Sequence, residues 1–235
     1  MQILLEGFEK GGVFMWPIAL CALIGATVAV ERAFFIFLRA AVHGPVFMAA
    51  VQRHVLDGNT DAAIRLCNAE PAAALPRVAK AALLRADRAD AEIRDAIEES
   101  SLEVYPEINR RLGYLPMIAN VSTLLGLLGT IQGLILAFHA VGEATAEARS
   151  AALSSGIAVA MYTTFFGLLV SIPILVIHGV IAARANLLLD EIDHYGLRLV
   201  NLLNAVRSAG AVPQGGGPQG GGPQGGTSVL PFPGR

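Results

Sequence analysis

From Leu112 to Val141 the chain carries no Asp, Glu, Lys or Arg, and from Leu153 to Ala183 again none. An apolar run of about 18–20 residues crosses a bilayer as a helix, so each stretch reads as a transmembrane span. A third, Val13 to Leu38, is interrupted only near its end, by Glu31-Arg32. Composition points the same way. Of 235 residues, 54% are hydrophobic and 15% charged, with mean hydropathy +0.57, whereas soluble domains carry about 25% charged residues. The net charge of −2 excludes a nucleic-acid binder working through a basic face. Cys21 falls in the first span and Cys67 outside it, so the two do not form a disulfide framework.

The leader carries Glu6 and Glu9 against Lys10. A secretory signal has a basic start and an apolar core of about 7–15 residues, so the first span is expected to be retained. Lys and Arg set the orientation. Residues 1–12 hold one, the 142–150 loop holds one, the stretch from Arg32 to Arg111 holds eleven, and the chain after Ala183 holds four. The expected order is an external N-terminus (1–12), span one (13–38), a cytoplasmic helical region (39–111), span two (112–141), an external hairpin (142–150), span three (151–183), a cytoplasmic helix (184–208) and a tail (209–235).

The cytoplasmic region is punctuated by His43-Gly44-Pro45, Asp57-Gly58-Asn59, Glu70-Pro71 and Leu75-Pro76, which are turn signals. Asn59 or Thr60 is placed to cap a helix over Asp61–Ala69, another runs through Arg77–Ala86, and Ala89–Glu103 sets Ile93, Ile97 and Val104 on one stripe. Leu188, Ile192, Tyr195, Leu199 and Leu202 keep a helical period after span three, and this helix is expected to pack on Ala89–Glu103. Strand signals are absent, so the predicted fold is all-α, with spans two and three extended into the cytoplasm as a helical bundle. The tail repeats Pro-Gln-Gly-Gly-Gly from Pro213 and Pro218 and starts it again at Pro223, a composition that cannot bury a core.

No nucleotide loop, zinc spacing or nucleophile constellation occurs, and the five histidines are scattered. The chain therefore reads as no enzyme, with no cofactor and no metal. The informative pattern lies in spans two and three. Thr123, Gly126, Thr130, Gly133 and Ala137 recur at spacings of three and four, as do Gly156, Ala160, Thr163/Thr164, Gly167 and Ser171. Gly129 and Gly133 add a G-x-x-x-G. The plain reading is close packing, since helices in lipid associate through small residues and hydroxyls. The other reading is that the hydroxyls face a central space and solvate something polar. The sequence leaves both open. A proton path through hydrocarbon usually needs a titratable group, and these two spans carry no Asp, Glu, Lys or Arg, so a partner must supply the carboxylate.

These residues resemble the MotA/TolQ/ExbB proton channel family over Gly7 to Val206. The resemblance rests on Met15-Trp16-Pro17-Ile18, Glu31-Arg32, Gly58-Asn59 with Ala62-Ala63 and Cys67, Gly126-Leu127-Leu128-Gly129-Thr130-Ile131 with Gly133 and Phe138, and Gly156-Ile157-Ala158 with Thr163-Thr164, Gly167 and Ile172-Pro173. Three spans with a large insertion resemble the TolQ and ExbB branch. The resemblance implies an inner-membrane subunit, N-terminus periplasmic, forming a pentamer around a dimer of ExbD/TolR-like single-span proteins with a transmembrane Asp. A TonB/TolA-like or motility effector would then receive the work. It implies a pore lined by Thr130, Thr163 and Thr164 and packed through Gly126, Gly129, Gly133, Gly156, Gly167 and Pro173. Val159 departs from the Glu common in that branch. Glu31 and Arg32 are expected to mark the inner edge of span one, with Arg32 snorkelling to the headgroups and Glu31 pairing with a cytoplasmic base. The contrasting expectation is a non-conducting scaffold that clusters partners through its small-residue faces.

Overall fold

The computed structural model describes residues 11–40, 42–143, 145 and 147–211. The expectations for the first ten residues and for the repeats after 211 lie outside these. The described residues form helices and turns, with no strand among them. Three of the helices are long and apolar enough to cross a membrane.

Helix α1 (Met15–Phe34) has Pro17 in its first turn, where no donor is needed. It turns one edge, Met15, Ile18, Gly25, Ala29 and Arg32, into the protein. Gly25 sits against the third span: a Cβ there would run into Ile174 and stand 3.4 Å from Ile118 Cγ2. α1 passes directly into a π-helical turn, Phe35–Arg39, closed by Ala40 N–H donating to the Phe35 carbonyl at 2.9 Å.

Four shorter helices follow. α2 (Gly44–Leu56) has Pro45 in its first turn and ends just before Gly58, which at φ +71 takes the left-handed turn that a side chain would resist. Asn59 then caps α3 (Thr60–Ala69), its Oδ1 accepting from Ala62 N at 3.0 Å. α4 (Ala74–Leu84) packs beside α5 (Asp90–Asn109) and is tied to it by Arg77–Glu107 at 2.5 Å and Arg85–Glu99 at 3.1 Å.

The last two helices dominate. α6 (Tyr114–Glu143) and α7 (Arg149–Ala211) pack antiparallel through the apolar segments, and α7 continues without a break through 63 residues. At 1.5 Å per residue that is about 95 Å, three times the roughly 30 Å of hydrocarbon in a bilayer. The far part of α7 is the spine of the hydrophobic core formed with the shorter helices. Val51, Val78, Ile93, Val104, Ile108, Leu188, Ile192 and Leu199 are all buried along it, each contributing about 1.5–3 kcal/mol. At its end, Asn204 donates to Asp90 at 2.6 Å, and Arg207 bonds Asp90 and the Arg88 carbonyl, so α7 fastens the start of α5.

Some helix limits differ from the sequence reading: α4 begins at Ala74, so Leu75-Pro76 lies in its first turn rather than before it, where a proline needs no donor, and α5 is longer than expected. α5 does not stop at Glu103 but runs through Pro106 to Asn109. The proline leaves only the Leu102 carbonyl without its donor, and Leu102 is exposed, so little is lost. The helix breaks at Arg110–Gly113 instead, with Arg111 at φ 60. No boundary marks residue 184, because the apolar stripe continues from Ile181 through Ala185 and Leu188 at helical spacing.

Candidate functional site

Backbone meets backbone where α6 crosses α7. A Cβ on Gly126 would stand 3.0 Å from the Thr163 carbonyl, and one on Gly133 2.8 Å from Ala160 N. On the other helix, a Cβ on Gly156 would lie 2.7 Å from Ala137 Cα, and one on Gly167 2.9 Å from the Ser122 carbonyl. Gly129 faces Thr163, whose Oγ1 would be 2.7 Å from an added Cβ. Five glycines therefore set the distance between the helices, and this is the close approach that small-residue motifs permit. Pro173 is not among the seam residues: it lies on the exposed side of α7, and Ile174 beside it takes the packing position.

The hydroxyls fall in distinct places. Thr163 is fully enclosed, its Oγ1 donating to the Ala160 carbonyl at 2.9 Å. Its proton is used inside its own helix. Thr164 is half-buried, with Oγ1 at 3.4 Å from the Ala160 carbonyl and 3.5 Å from the Gly126 carbonyl across the seam, long contacts for a hydroxyl donor. Thr130 is half-buried too and donates to Leu127 O at 2.6 Å. Thr130 and Thr164 thus stand at the rim of the seam, whereas Thr163 is inside it. Ser122, which the sequence reading passed over, is also enclosed and donates to the Gly167 carbonyl at 3.3 Å. Its signal was present: 119, 122, 126, 129, 133 and 137 form a line as regular as the one through 123 and 130. Val159 is half-buried and offers no proton.

At the end of α1, the Glu31 carboxylate accepts from Arg111 Nη1 at 2.6 and 2.9 Å. Arg32 does not snorkel. It is 5% exposed, because it lies on the same edge of α1 as Gly25 and Ala29 and so turns inward. The Phe35 ring lies over its guanidinium at 5.2 Å.

Away from the spans, Tyr105 donates to Asp193 across the α5–α7 contact. Burial, that bond and the charges of Asp193 and Asp190 push its hydroxyl pKa up. Burial likewise pushes the Cys67 thiol up to about 11. No group of three or more His, Cys, Asp or Glu converges among the described residues as a metal site would.

The seam and the helices around it match the family model described as the MotA/TolQ/ExbB proton channel family, over residues 41–194. The sequence is similar to biopolymer transport protein exbB1 of Vibrio cholerae, 29% identical over 205 residues, 86% of this chain and 89% of that protein. It is similar to an ExbB homolog of Methanothermobacter thermautotrophicus, 31% identical over 189 residues, 80% of this chain and 65% of the homolog. The chain thus spans just under two thirds of that homolog's length. It is also similar to the Tol-Pal system protein TolQ of Haemophilus influenzae, 29% identical over 112 residues, 46% of this chain and 49% of that protein.

Proposed function

The chain belongs to the MotA/TolQ/ExbB proton channel family, and from that membership we propose that it is an inner-membrane stator subunit, not an enzyme. In this reading several copies, five by the family pattern, surround an ExbD/TolR-like single-span partner. The partner's transmembrane Asp takes up and releases the proton, and its movement is passed to a TonB/TolA-like or motility effector. The N-terminus is external and the long end of α7 cytoplasmic, as the eleven basic residues between Arg32 and Arg111 favour.

One observation carries the proposal: Thr130 and Thr164 stand at the rim of a seam whose two helices bear no Asp, Glu, Lys or Arg through the apolar segments. A hydroxyl both donates to a carboxylate and accepts from a carboxylic acid, so it stabilises the partner's Asp in either state. The channel's charge comes from the partner, and this chain supplies the polar lining. Val159 leaves the coupling to that Asp alone. Thr163, enclosed and internally bonded, supports the seam.

The scaffold reading draws on the same geometry, because a seam this tight is sufficient to assemble helices without conducting. The experiment that separates them is proton uptake by complexes carrying Thr130→Val or Thr164→Val, purified with the partner at equal stoichiometry. Valine keeps the shape and removes the hydrogen bond, at about 1–3 kcal/mol for a buried carboxyl left unsatisfied, so uptake is expected to fall about tenfold or more. Unchanged uptake in both variants leaves the scaffold.

A further inference from the structure

Arg32 carries a charge that the surrounding residues answer only in part. Its side chain is 6% exposed, and its Nε and Nη1 have no hydrogen-bond partner among the described residues. Nη2 reaches Glu31 at a long 3.4 Å. That carboxylate is already held by Arg111 at 2.6 and 2.9 Å. Arg110, exposed on the same turn as Arg111, adds its positive field to Arg32. Two guanidinium groups thus share one carboxylate, and Arg111 holds both of its oxygens. A buried guanidinium with unmatched donors is strongly destabilising unless an anion meets it.

Two backbone irregularities close on the same spot. The π-helical turn Phe35–Arg39 begins three residues beyond Arg32, and its first ring covers the guanidinium. Arg111 sits at φ 60, where residues other than glycine are uncommon. Single π turns and left-handed non-glycine residues gather at functional sites. The position is equally specific. The cluster joins the end of one apolar helix to the turn before the next, the level at which hydrocarbon gives way to headgroups.

We propose that Arg32, with Arg110 and Arg111 beside it, forms a site for a phosphate group, supplied in the membrane by the headgroup of an anionic phospholipid. The planar guanidinium fork matches two phosphate oxygens, and basic pockets between spans hold such headgroups. Phe35, half-buried, is the cover: its ring turns aside into the acyl chains as the phosphate meets Nε and Nη1. Glu31 keeps Arg111 in place without neutralising the cluster. The site needs the apolar helices to lie in a bilayer and is independent of whether the protein conducts.

The test uses the full chain, purified as its assembled complex in a neutral detergent. Lipid adducts are followed by native mass spectrometry and melting temperature. The probes are phosphatidylglycerol, a galactosyl diacylglycerol with the same acyl chains, and inorganic phosphate. Phosphatidylglycerol is expected to give discrete adducts and raise the melting temperature, and the galactolipid to do neither. Arg32→Gln is expected to weaken phosphatidylglycerol binding about tenfold, the scale of one lost charge-assisted contact. Arg110→Gln, an exposed change, is expected to weaken it in the same direction and decides the matter if Arg32→Gln fails to assemble. Displacement of the lipid by millimolar inorganic phosphate assigns the site to phosphate from either source, and failure of phosphate to compete assigns it to the lipid. Equal binding of the two lipids, or unchanged phosphatidylglycerol affinity in the arginine variants, overturns the proposal.

Discussion

Glu31 and Arg111 are 80 residues apart in sequence, yet both carboxylate oxygens of Glu31 accept from the same Arg111 nitrogen, at 2.6 and 2.9 Å. The contact ties the end of α1 to the turn that launches α6. Both side chains are a little over 40% exposed, so water and salt screen the pair. Its use is positional: it fixes where the first span ends relative to the start of the second.

Charge order at this pair is therefore expected to matter less than its complementarity. Glu31→Gln and Arg111→Gln should each lower the yield of assembled complex more than activity per complex. The exchange Glu31→Arg with Arg111→Glu should recover part of the loss. Size-exclusion profiles of the three variants at low and high salt check this. A double exchange no better than the single changes would mean that the contact is incidental.

The glycine seam makes a sharper prediction. Gly133→Leu should abolish the defined oligomer in detergent, because even the first added carbon falls 2.8 Å from Ala160 N. Gly156→Ala should already lower the melting temperature, at a cost of about 1–3 kcal/mol for overpacking. Gly142→Ala and Gly179→Ala, where an added Cβ meets nothing within 4 Å, should leave the complex intact. Thermal unfolding of the four variants, with mass measured in detergent, is the check.

Thr163 separates packing from conduction. Its hydroxyl is satisfied by the Ala160 carbonyl at 2.9 Å and is enclosed. Thr163→Val should cost about 1 kcal/mol of stability while leaving proton uptake per assembled complex near wild type, unlike the changes at Thr130 and Thr164. A Thr163→Val complex that is stable but fails to take up protons would move the polar lining inside the seam.

Cys67 reports on the hydrophobic core around the shorter helices. Burial raises its thiol from an ordinary 9.0 to about 11, so the folded state favours the protonated form. The stability this contributes is fully present below pH 9 and is lost as pH rises through 11. Only the thiolate reacts. Alkylation of Cys67 by iodoacetamide at pH 8 should run about a hundredfold slower than that of an unhindered thiol and rise about tenfold per pH unit. Fast labelling at pH 8 in native protein would show that the α3–α4 packing opens readily.

The three spans were legible because charge-free runs longer than a bilayer admit few other structures. The Asn59 cap and the Gly58 turn were legible too, since each depends on a local residue preference. The seam was half legible. Spacings of three and four identify a stripe but not its centre, and the enclosed line runs through Ser122 and Gly129, one residue from Thr123 and Thr130. Burial of Arg32 was not legible: the snorkelling rule assumes a side chain free to reach outward, and here Arg32 lies on the inward edge of α1 with the Phe35 ring over its guanidinium. Nor could the sequence choose Arg111 over ten other cations as the partner of Glu31, because only the folded turn at Arg110–Gly113 brings it there.

The uninterrupted course of α7 has a mechanical consequence. The same rod that carries Thr164 and Gly167 against α6 also carries Ile192 and Leu199 in the distant core. Below the seam it extends some 60 Å at 1.5 Å per residue, so a change of tilt at the seam would be magnified with distance along it. A tilt of about 5° at the seam would displace Leu203, about 50 Å along the rod, by about 4 Å. The one place in the rod where a backbone donor is missing is Pro173, just beyond the seam, so the far end would follow such a tilt only if the helix stays straight there.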